Sequence, residues 1–109
     1  MSNFVGECQA VAKRCFEQSC KSGFWNEDRN DGEAIALMHS ELFEALEALR
    51  HENPPSEHIP EFSAVEEEFA DTLIRMMDLS HGRGWRIFEA LEAKMNYNAT
   101  RIHKHGKQF

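Results

Sequence analysis

The chain has 109 residues, a mass of 12.6 kDa, 41% hydrophobic and 28% charged residues, and a formal net charge of −7. This length predicts a single domain, residues 1–109, with one core. No stretch reaches the 18 or more apolar residues of a membrane span, and the first ten residues lack the features of a secretory signal. We therefore expect a soluble cytoplasmic protein with no membrane partner.

The charges are unevenly distributed. All 19 acidic residues precede residue 93, and the last 17 residues carry four bases and no acid. Between Glu41 and Asp71 there are ten acids and one base, Arg50. Such a surface repels phosphate backbones, so we expect no nucleic-acid polymer as a partner. The three cysteines lack the spacing of a zinc site and the density of a disulfide scaffold, which predicts reduced thiols.

Glycine and proline divide the chain into four segments with a helical period and none with a strand period. Helix one is predicted over about residues 3–22, with Ser2 as its N-cap and Gly23 as its stop. Helix two follows from about residue 31 to Arg50 and ends before three prolines. Helix three begins at Ser63, in an S-x-x-E capping box with Glu66, and ends at residues 81–82.

Helix four is predicted to run from residues 84–85 to about Ile102, followed by a basic C-terminal arm, residues 103–109. The expected fold is an all-α, four-helix bundle with short connections. Because 109 residues in four helices bury a limited core, the bundle is expected to be completed by homo-oligomerisation.

Two carboxylates of helix two fall beside its apolar face rather than on the solvent side. Glu41 lies on the flank of that face and Glu44, one turn on, lies at its edge, so the E-x-x-E spacing directs both to one side of the helix. An ionised carboxylate in an apolar surface needs a cation or donors. A salt bridge to another helix, or a side chain that reaches solvent, would also satisfy Glu41. The apolar face itself consists of Ile35, Met38, Leu42, Ala45, Leu46 and Leu49.

Helix three repeats the spacing as Glu68 and Asp71. Taken alone, this pair also fits a solvated face with an Asp71–Arg75 ion pair at i, i+4. If helices two and three pack antiparallel, however, the E-x-x-E and E-x-x-D pairs face each other. An all-oxygen set of four carboxylates with no His or Cys favours Mg²⁺, or Mn²⁺ as a substitute, over zinc.

Helix four carries Lys94, Asn98 and Arg101 at i, i+4 and i+7 along one edge. A cation, an amide and a guanidinium in a line suit phosphate oxygens. Favourable placement of bases near the helix C-terminus would explain Arg101 and Lys94 equally well, but it does not explain Asn98.

These residues resemble a known family, the MazG-like all-α nucleoside triphosphate pyrophosphohydrolases. The resemblance is carried by residues 37–50 (LMHSELFEALEALR), 67–75 (EEFADTLIR) and 94–101 (KMNYNATR). The specific feature is the order of E-x-x-E, 23 intervening residues, E-x-x-D and then K-x-x-x-N-x-x-R. Residues 23–30 and 104–109 also look like those of small, single-domain, phage- and cassette-type members.

The resemblance implies hydrolysis of (deoxy)nucleoside triphosphates between the α- and β-phosphates, giving monophosphate and pyrophosphate, in nucleotide-pool house-cleaning. It makes Mg²⁺ the cofactor and implies a homodimer or homotetramer. The metal ligands would be Glu41, Glu44, Glu68 and Asp71, with Glu41 or Glu44 as the catalytic base. The phosphate-binding residues would be Lys94, Asn98 and Arg101.

Two further predictions concern the aromatic residues and the class of protein. Trp25, together with Phe24, is a candidate for stacking on the nucleotide base, or else a structural plug over the helix ends. The alternative function is a non-catalytic helical oligomer whose carboxylate face binds a regulatory cation or a basic partner.

Overall fold

The computed structural model describes residues 3–101, and that part of the chain is all-helical, as predicted. The helices are α1 (Phe4–Lys21), α2 (Asp31–Arg50), α3 (Ala64–Arg83) and α4 (Ile87–Asn98). No helix in this region is both long and apolar enough to cross a membrane. The predicted N-cap Ser2, the predicted helix end Ile102 and the arm 103–109 lie outside the described residues.

Polar side chains begin three of the helices. Asn3 and Asn30 each accept a backbone hydrogen bond of 2.9 Å at the starts of α1 and α2. Ser63 and Glu66 form the predicted capping box at the start of α3. Each cap satisfies backbone N–H groups that have no partner within the first turn.

The turn between α3 and α4 differs from the prediction. The third helix continues through Gly82 to Arg83 and stops at Gly84, whose φ of 73° is left-handed. A Cβ atom on Gly82 would come within 2.5 Å of the Trp25 ring, so this glycine permits close packing instead of ending the helix. Helix α4 consequently begins at Ile87 and not at residues 84–85, and it ends at Asn98.

Helices α2 and α3 pack antiparallel, which is the condition under which their carboxylate pairs can face each other. At one end, Arg83 near the end of α3 pairs with Asp31 at the start of α2, with Nε and Oδ1 2.8 Å apart. At the other end, the Val65 N–H donates to the Asn53 side chain across 2.9 Å. The loop of residues 51–63 therefore reverses the chain and brings the acidic segments of the two helices side by side.

The core formed by the described residues is small. Its buried apolar residues are mostly alanines: Ala12, Ala34, Ala45, Leu79 and Phe88. Most of the predicted apolar face of α2 is instead solvent-exposed, apart from buried Ala45, and α3 also carries a stripe of exposed apolar side chains. The exposed stripe residues are Ile35, Leu42, Leu46 and Leu49 on α2 and Phe69, Leu73 and Met76 on α3.

Candidate metal centre and adjoining cleft

Three carboxylates converge where α2 crosses the middle of α3. Glu41 of α2 and Glu68 and Asp71 of α3 each place one carboxylate oxygen within 4.8 Å of the others. The i, i+3 spacing puts Glu68 and Asp71 on one side of α3, and the antiparallel packing brings Glu41 opposite them. All three side chains are half-buried.

Their proximity changes their acidity. Partial burial, followed by a hydrogen bond and charge repulsion from Glu41, raises the pKa of Glu68 to about 7. Burial and the negative charge of Glu41 also raise the pKa of Asp71, although the Arg75 cation opposes that shift. Near neutral pH, therefore, Glu68 is about half protonated when no cation balances the charge of the cluster.

Arg75 supplies the positive group that Glu41 was expected to meet. Its guanidinium Nη2 lies 3.2 Å, and its Nε 3.3 Å, from Glu41 Oε1. The alternative in which Arg75 pairs with Asp71 on its own helix is not the ion pair that forms, because Arg75 pairs across to Glu41 of α2. The predicted alternative for Glu41, an interhelix salt bridge, is thus present beside the acidic cluster.

Glu44 does not join the cluster. It follows Glu41 by about one turn on α2, and its side chain is exposed. The cluster of carboxylate oxygens found within residues 3–101 comprises Glu41, Glu68 and Asp71 alone. The structure thus brings together three of the four predicted metal ligands.

A cleft of about 590 Å³ adjoins the carboxylates and is bounded largely by α1 and α3. Glu41 and Asp71 line it together with three guanidinium groups, those of Arg14, Arg29 and Arg75. Half-exposed Phe24 supplies an aromatic wall. A cleft that combines carboxylates, arginines and an aromatic ring suits an anionic ligand with a flat apolar part.

Trp25 is packed as a structural plug. Its indole N–H donates to Asp78 Oδ1 across 2.7 Å, and its ring lies 5.3 Å from that of Phe16. Arg29 pairs with the other oxygen of buried Asp78 at 2.6 Å, and its Cζ lies 5.0 Å from the centroid of the indole ring. These contacts favour the structural alternative for Trp25 and leave Phe24 as the aromatic residue on the cleft.

The predicted phosphate-binding residues lie on and just after α4 and do not line this cleft. Lys94 Nζ and Arg101 Cζ lie 4.6 and 5.6 Å from the centroid of the Tyr97 ring. The Asn98 Oδ1 atom is buried and accepts no hydrogen bond from the residues that the structure describes. These three residues are therefore not part of the cleft wall beside the carboxylates.

A polar contact next to the cluster ties the proline-rich loop to α3. The buried Ser56 hydroxyl donates to Glu67 Oε1 across 2.5 Å, and His58 Nδ1 lies 2.8 Å from Glu67 Oε2. The hydrogen bonds from Ser56 and His58 lower the pKa of Glu67, whereas Glu67 raises the pKa of His58. These contacts hold the loop beside the residue that precedes Glu68.

The sequence prediction did not assign the cleft arginines to the site. Arg75 has a recognisable signal, since it follows Asp71 by four residues and so lies on the same side of α3. Arg14 has none, because it lies on α1, outside every motif, and reaches the cleft only through the packing of α1 against α3.

Comparisons of the chain with protein-family models, with curated proteins and with solved structures each gave no match. Function is therefore inferred from the chemistry of the site. Three clustered carboxylate oxygens without nitrogen or sulfur ligands form a donor set that hard divalent cations prefer. Burial, and then the hydrogen bond and negative charge of Glu41, raise the pKa of Glu68 by disfavouring its charged form. A bound cation would favour that charged form, so the residues present fit such a cation.

Proposed function

We propose that this chain is a Mg²⁺-dependent nucleoside triphosphate pyrophosphohydrolase. The observation that carries the proposal is the approach of Glu41, Glu68 and Asp71 to within 4.8 Å beside a cleft lined by arginines. The order of motifs that resembles the MazG-like family supplies the reaction: water attacks a (deoxy)nucleoside triphosphate, the α–β phosphoanhydride bond breaks, and monophosphate and pyrophosphate leave.

Glu41, Glu68 and Asp71 would hold the cation. Mg²⁺ typically takes one or two carboxylates and completes its shell with water and substrate phosphates, and Mn²⁺ can replace it. When bound, such an ion neutralises developing phosphoryl charge and makes a bound water more acidic. Glu44, as an exposed neighbour of Glu41, remains a proposed ligand that would act only after a movement of its side chain.

Two protein groups are candidates for orienting or deprotonating the attacking water, Glu41 and Glu44. The half-buried position of Glu41 inside the cluster favours it. A base must come within hydrogen-bond distance of the water it activates, and an exposed carboxylate outside the cluster meets that requirement less readily.

We also propose a homo-oligomer, either a dimer or a tetramer. Leu42, Leu46 and Leu49 of α2 are 47, 45 and 57% exposed and follow one another along one side of the helix. Apolar stripes of this kind are typical of interfaces and unusual on monomers. In an oligomer Lys94, Asn98 and Arg101 could serve a neighbouring copy's site, which is consistent with their position outside the cleft wall of their own chain. A cytoplasmic role in removing unwanted nucleotides completes the proposal.

A non-catalytic oligomer is the second candidate. The Glu41–Arg75 ion pair and the exposed apolar stripes favour it. A binding protein needs a stable helix pair and an interface, and it does not need a catalytic site. The two candidates differ in their products. Incubation of dNTPs with Mg²⁺ and the protein yields monophosphate and pyrophosphate if the enzyme proposal holds, whereas full recovery of every common (d)NTP supports the binding module.

A further inference from the structure

We infer that Arg75 is a phosphate-binding residue that exchanges partners: it pairs with Glu41 in the free protein and with a substrate phosphate once a divalent cation occupies the carboxylates. This inference rests on the proposed function. It assigns phosphate binding to a residue that had no predicted role in the site and that belongs to the same chain as the metal ligands.

Arg75 and a bound cation would compete for the Glu41 carboxylate. The Arg75 guanidinium lies 3.2 Å from Glu41 Oε1, and Glu41 is also one of the three cluster carboxylates. A cation held by Glu41, Glu68 and Asp71 would face the positive charge of Arg75 at close range. The cation repels the Arg75 guanidinium and attracts the Glu41 carboxylate more strongly than Arg75 does. The Glu41–Arg75 ion pair therefore loosens when the cation binds.

Once released from Glu41, the Arg75 side chain can turn into the cleft. Its side chain is 27% exposed and lines the cleft, so it reaches a ligand there without unfolding any element. A guanidinium binds phosphate oxygens through two parallel hydrogen bonds. Arg29, by contrast, is 9% exposed and held by buried Asp78 at 2.6 Å, so it has no comparable freedom.

Arg14 offers a matched comparison. It lines the same cleft from α1, and within residues 3–101 it makes no ion pair. Replacing either arginine by glutamine removes one positive charge from the cleft wall. Only the replacement of Arg75 removes a competitor for Glu41.

The experiment measures two affinities on the full chain without turnover. Mn²⁺ alone is titrated and the free ion is followed by electron paramagnetic resonance; inorganic triphosphate is then titrated in the presence of Mg²⁺. Arg75→Gln is expected to tighten Mn²⁺ binding about three- to fivefold, the upper part of the range of an exposed ion pair, and to weaken triphosphate binding at least about tenfold. Arg14→Gln weakens triphosphate binding but leaves Mn²⁺ affinity within about twofold of the unaltered chain.

Arg75→Lys keeps the positive charge but loses the planar guanidinium that can form two parallel hydrogen bonds to phosphate. It should therefore give near-normal Mn²⁺ affinity with weakened triphosphate binding. Circular dichroism and the thermal midpoint verify that each variant folds. The exchange of partners is overturned if Arg14→Gln and Arg75→Gln change Mn²⁺ affinity equally. It is also overturned if Arg75→Gln does not tighten Mn²⁺ binding while weakening triphosphate binding. Neither result contradicts the enzyme proposal. If the unaltered chain binds no Mn²⁺ and releases no pyrophosphate, the proposed function fails first and the inference fails with it.

Discussion

Arg75 of α3 and Glu41 of α2 form an ion pair, with 3.2 Å between Nη2 and Oε1, at the edge of the carboxylate cluster. The pair joins two functions of this region. It holds the middle of the two antiparallel helices together, and it places a guanidinium at the boundary between the proposed metal ligands and the cleft. Substitution of Arg75 or Glu41, with activity and folding measured separately, should therefore distinguish a role in catalysis from a role in stability.

The first prediction compares two glutamates of the E-x-x-E motif. Glu41→Gln should lower pyrophosphate release by more than about 100-fold, the scale seen when one transition-state-stabilising group is removed, while the helical circular dichroism is retained. Glu44→Gln should have a clearly smaller effect because Glu44 is exposed and outside the cluster. Equal losses in both variants would show that Glu44 moves into the site; collapse of folding in Glu41→Gln alone would indicate a purely structural ion pair.

The second prediction concerns pH and cation binding. Because the pKa of Glu68 is raised to about 7, a cation must displace its proton below that pH. Mn²⁺ affinity should therefore increase as pH rises through about 7 and then level off. Glu68→Gln should bind Mn²⁺ weakly and without this dependence. A pH-independent affinity of the unaltered chain between about pH 6 and 8 would contradict the charge state assigned to the cluster.

The same pKa makes a prediction about stability without a cation. A carboxyl whose folded-state pKa is raised stabilises the folded chain fully below its unfolded pKa of 4.5, and this contribution is lost as pH rises through about 7. Relative to Glu68→Gln, the unaltered chain should thus lose thermal stability over that range. Thermal unfolding with a chelator present measures the difference in midpoint between the unaltered chain and Glu68→Gln at each pH. Because Asp71 and His58 are present in both proteins, this difference reports the titration of Glu68. Addition of Mn²⁺ above pH 7 should restore stability to the unaltered chain but not to the variant.

The third prediction separates the two neighbouring aromatic residues. Trp25→Phe removes the indole donor to Asp78 and should destabilise the fold by about 1–3 kcal/mol, the cost of leaving a buried charged acceptor short of a partner. Phe24→Ala should leave the midpoint of urea unfolding almost unchanged and raise the KM for nucleotides. A large rise in KM without destabilisation in Trp25→Phe would assign base stacking to Trp25 instead.

The fourth prediction tests the exposed stripe of α2. Leu46, 45% exposed in one copy, should be buried in the oligomer. Leu46→Glu should therefore reduce the mass measured by light scattering to that of one chain, 12.6 kDa, because burying an unpaired carboxylate costs several kcal/mol. Ser40→Glu, at an exposed polar position about a third of a turn away from Leu46 on the same helix, is the control and should leave the mass unchanged. If the unaltered chain is itself a monomer, the proposal that a second copy completes the bundle is wrong.

Local signals predicted the helices well. The capping box of Ser63 and Glu66 and the proline-rich reversal after Arg50 each act over a few residues, so they can be read from the sequence. Gly82 was misread because its requirement comes from Trp25, 57 positions away, whose ring occupies the space of a side chain. A glycine that stops a helix and one that permits close packing look identical in sequence.

The site was predictable only where helical spacing determines it. Glu68 and Asp71 share a side of α3 by their i, i+3 spacing, and Glu41 joins them once the helices pack antiparallel. The partner of Arg75 was not predictable, because Asp71 on its own helix and Glu41 across the interface are both within reach. A helical wheel likewise identifies the stripe that includes Leu42 but not whether this chain or a second copy covers it.

The most direct test of the central claim is the product analysis of a panel of common dNTPs incubated with Mg²⁺ and the unaltered chain, with Glu41→Gln as the control. The account predicts equal amounts of nucleoside monophosphate and pyrophosphate from at least one nucleotide, with none from the variant. Diphosphate and orthophosphate as products, or complete recovery of every triphosphate, would contradict it.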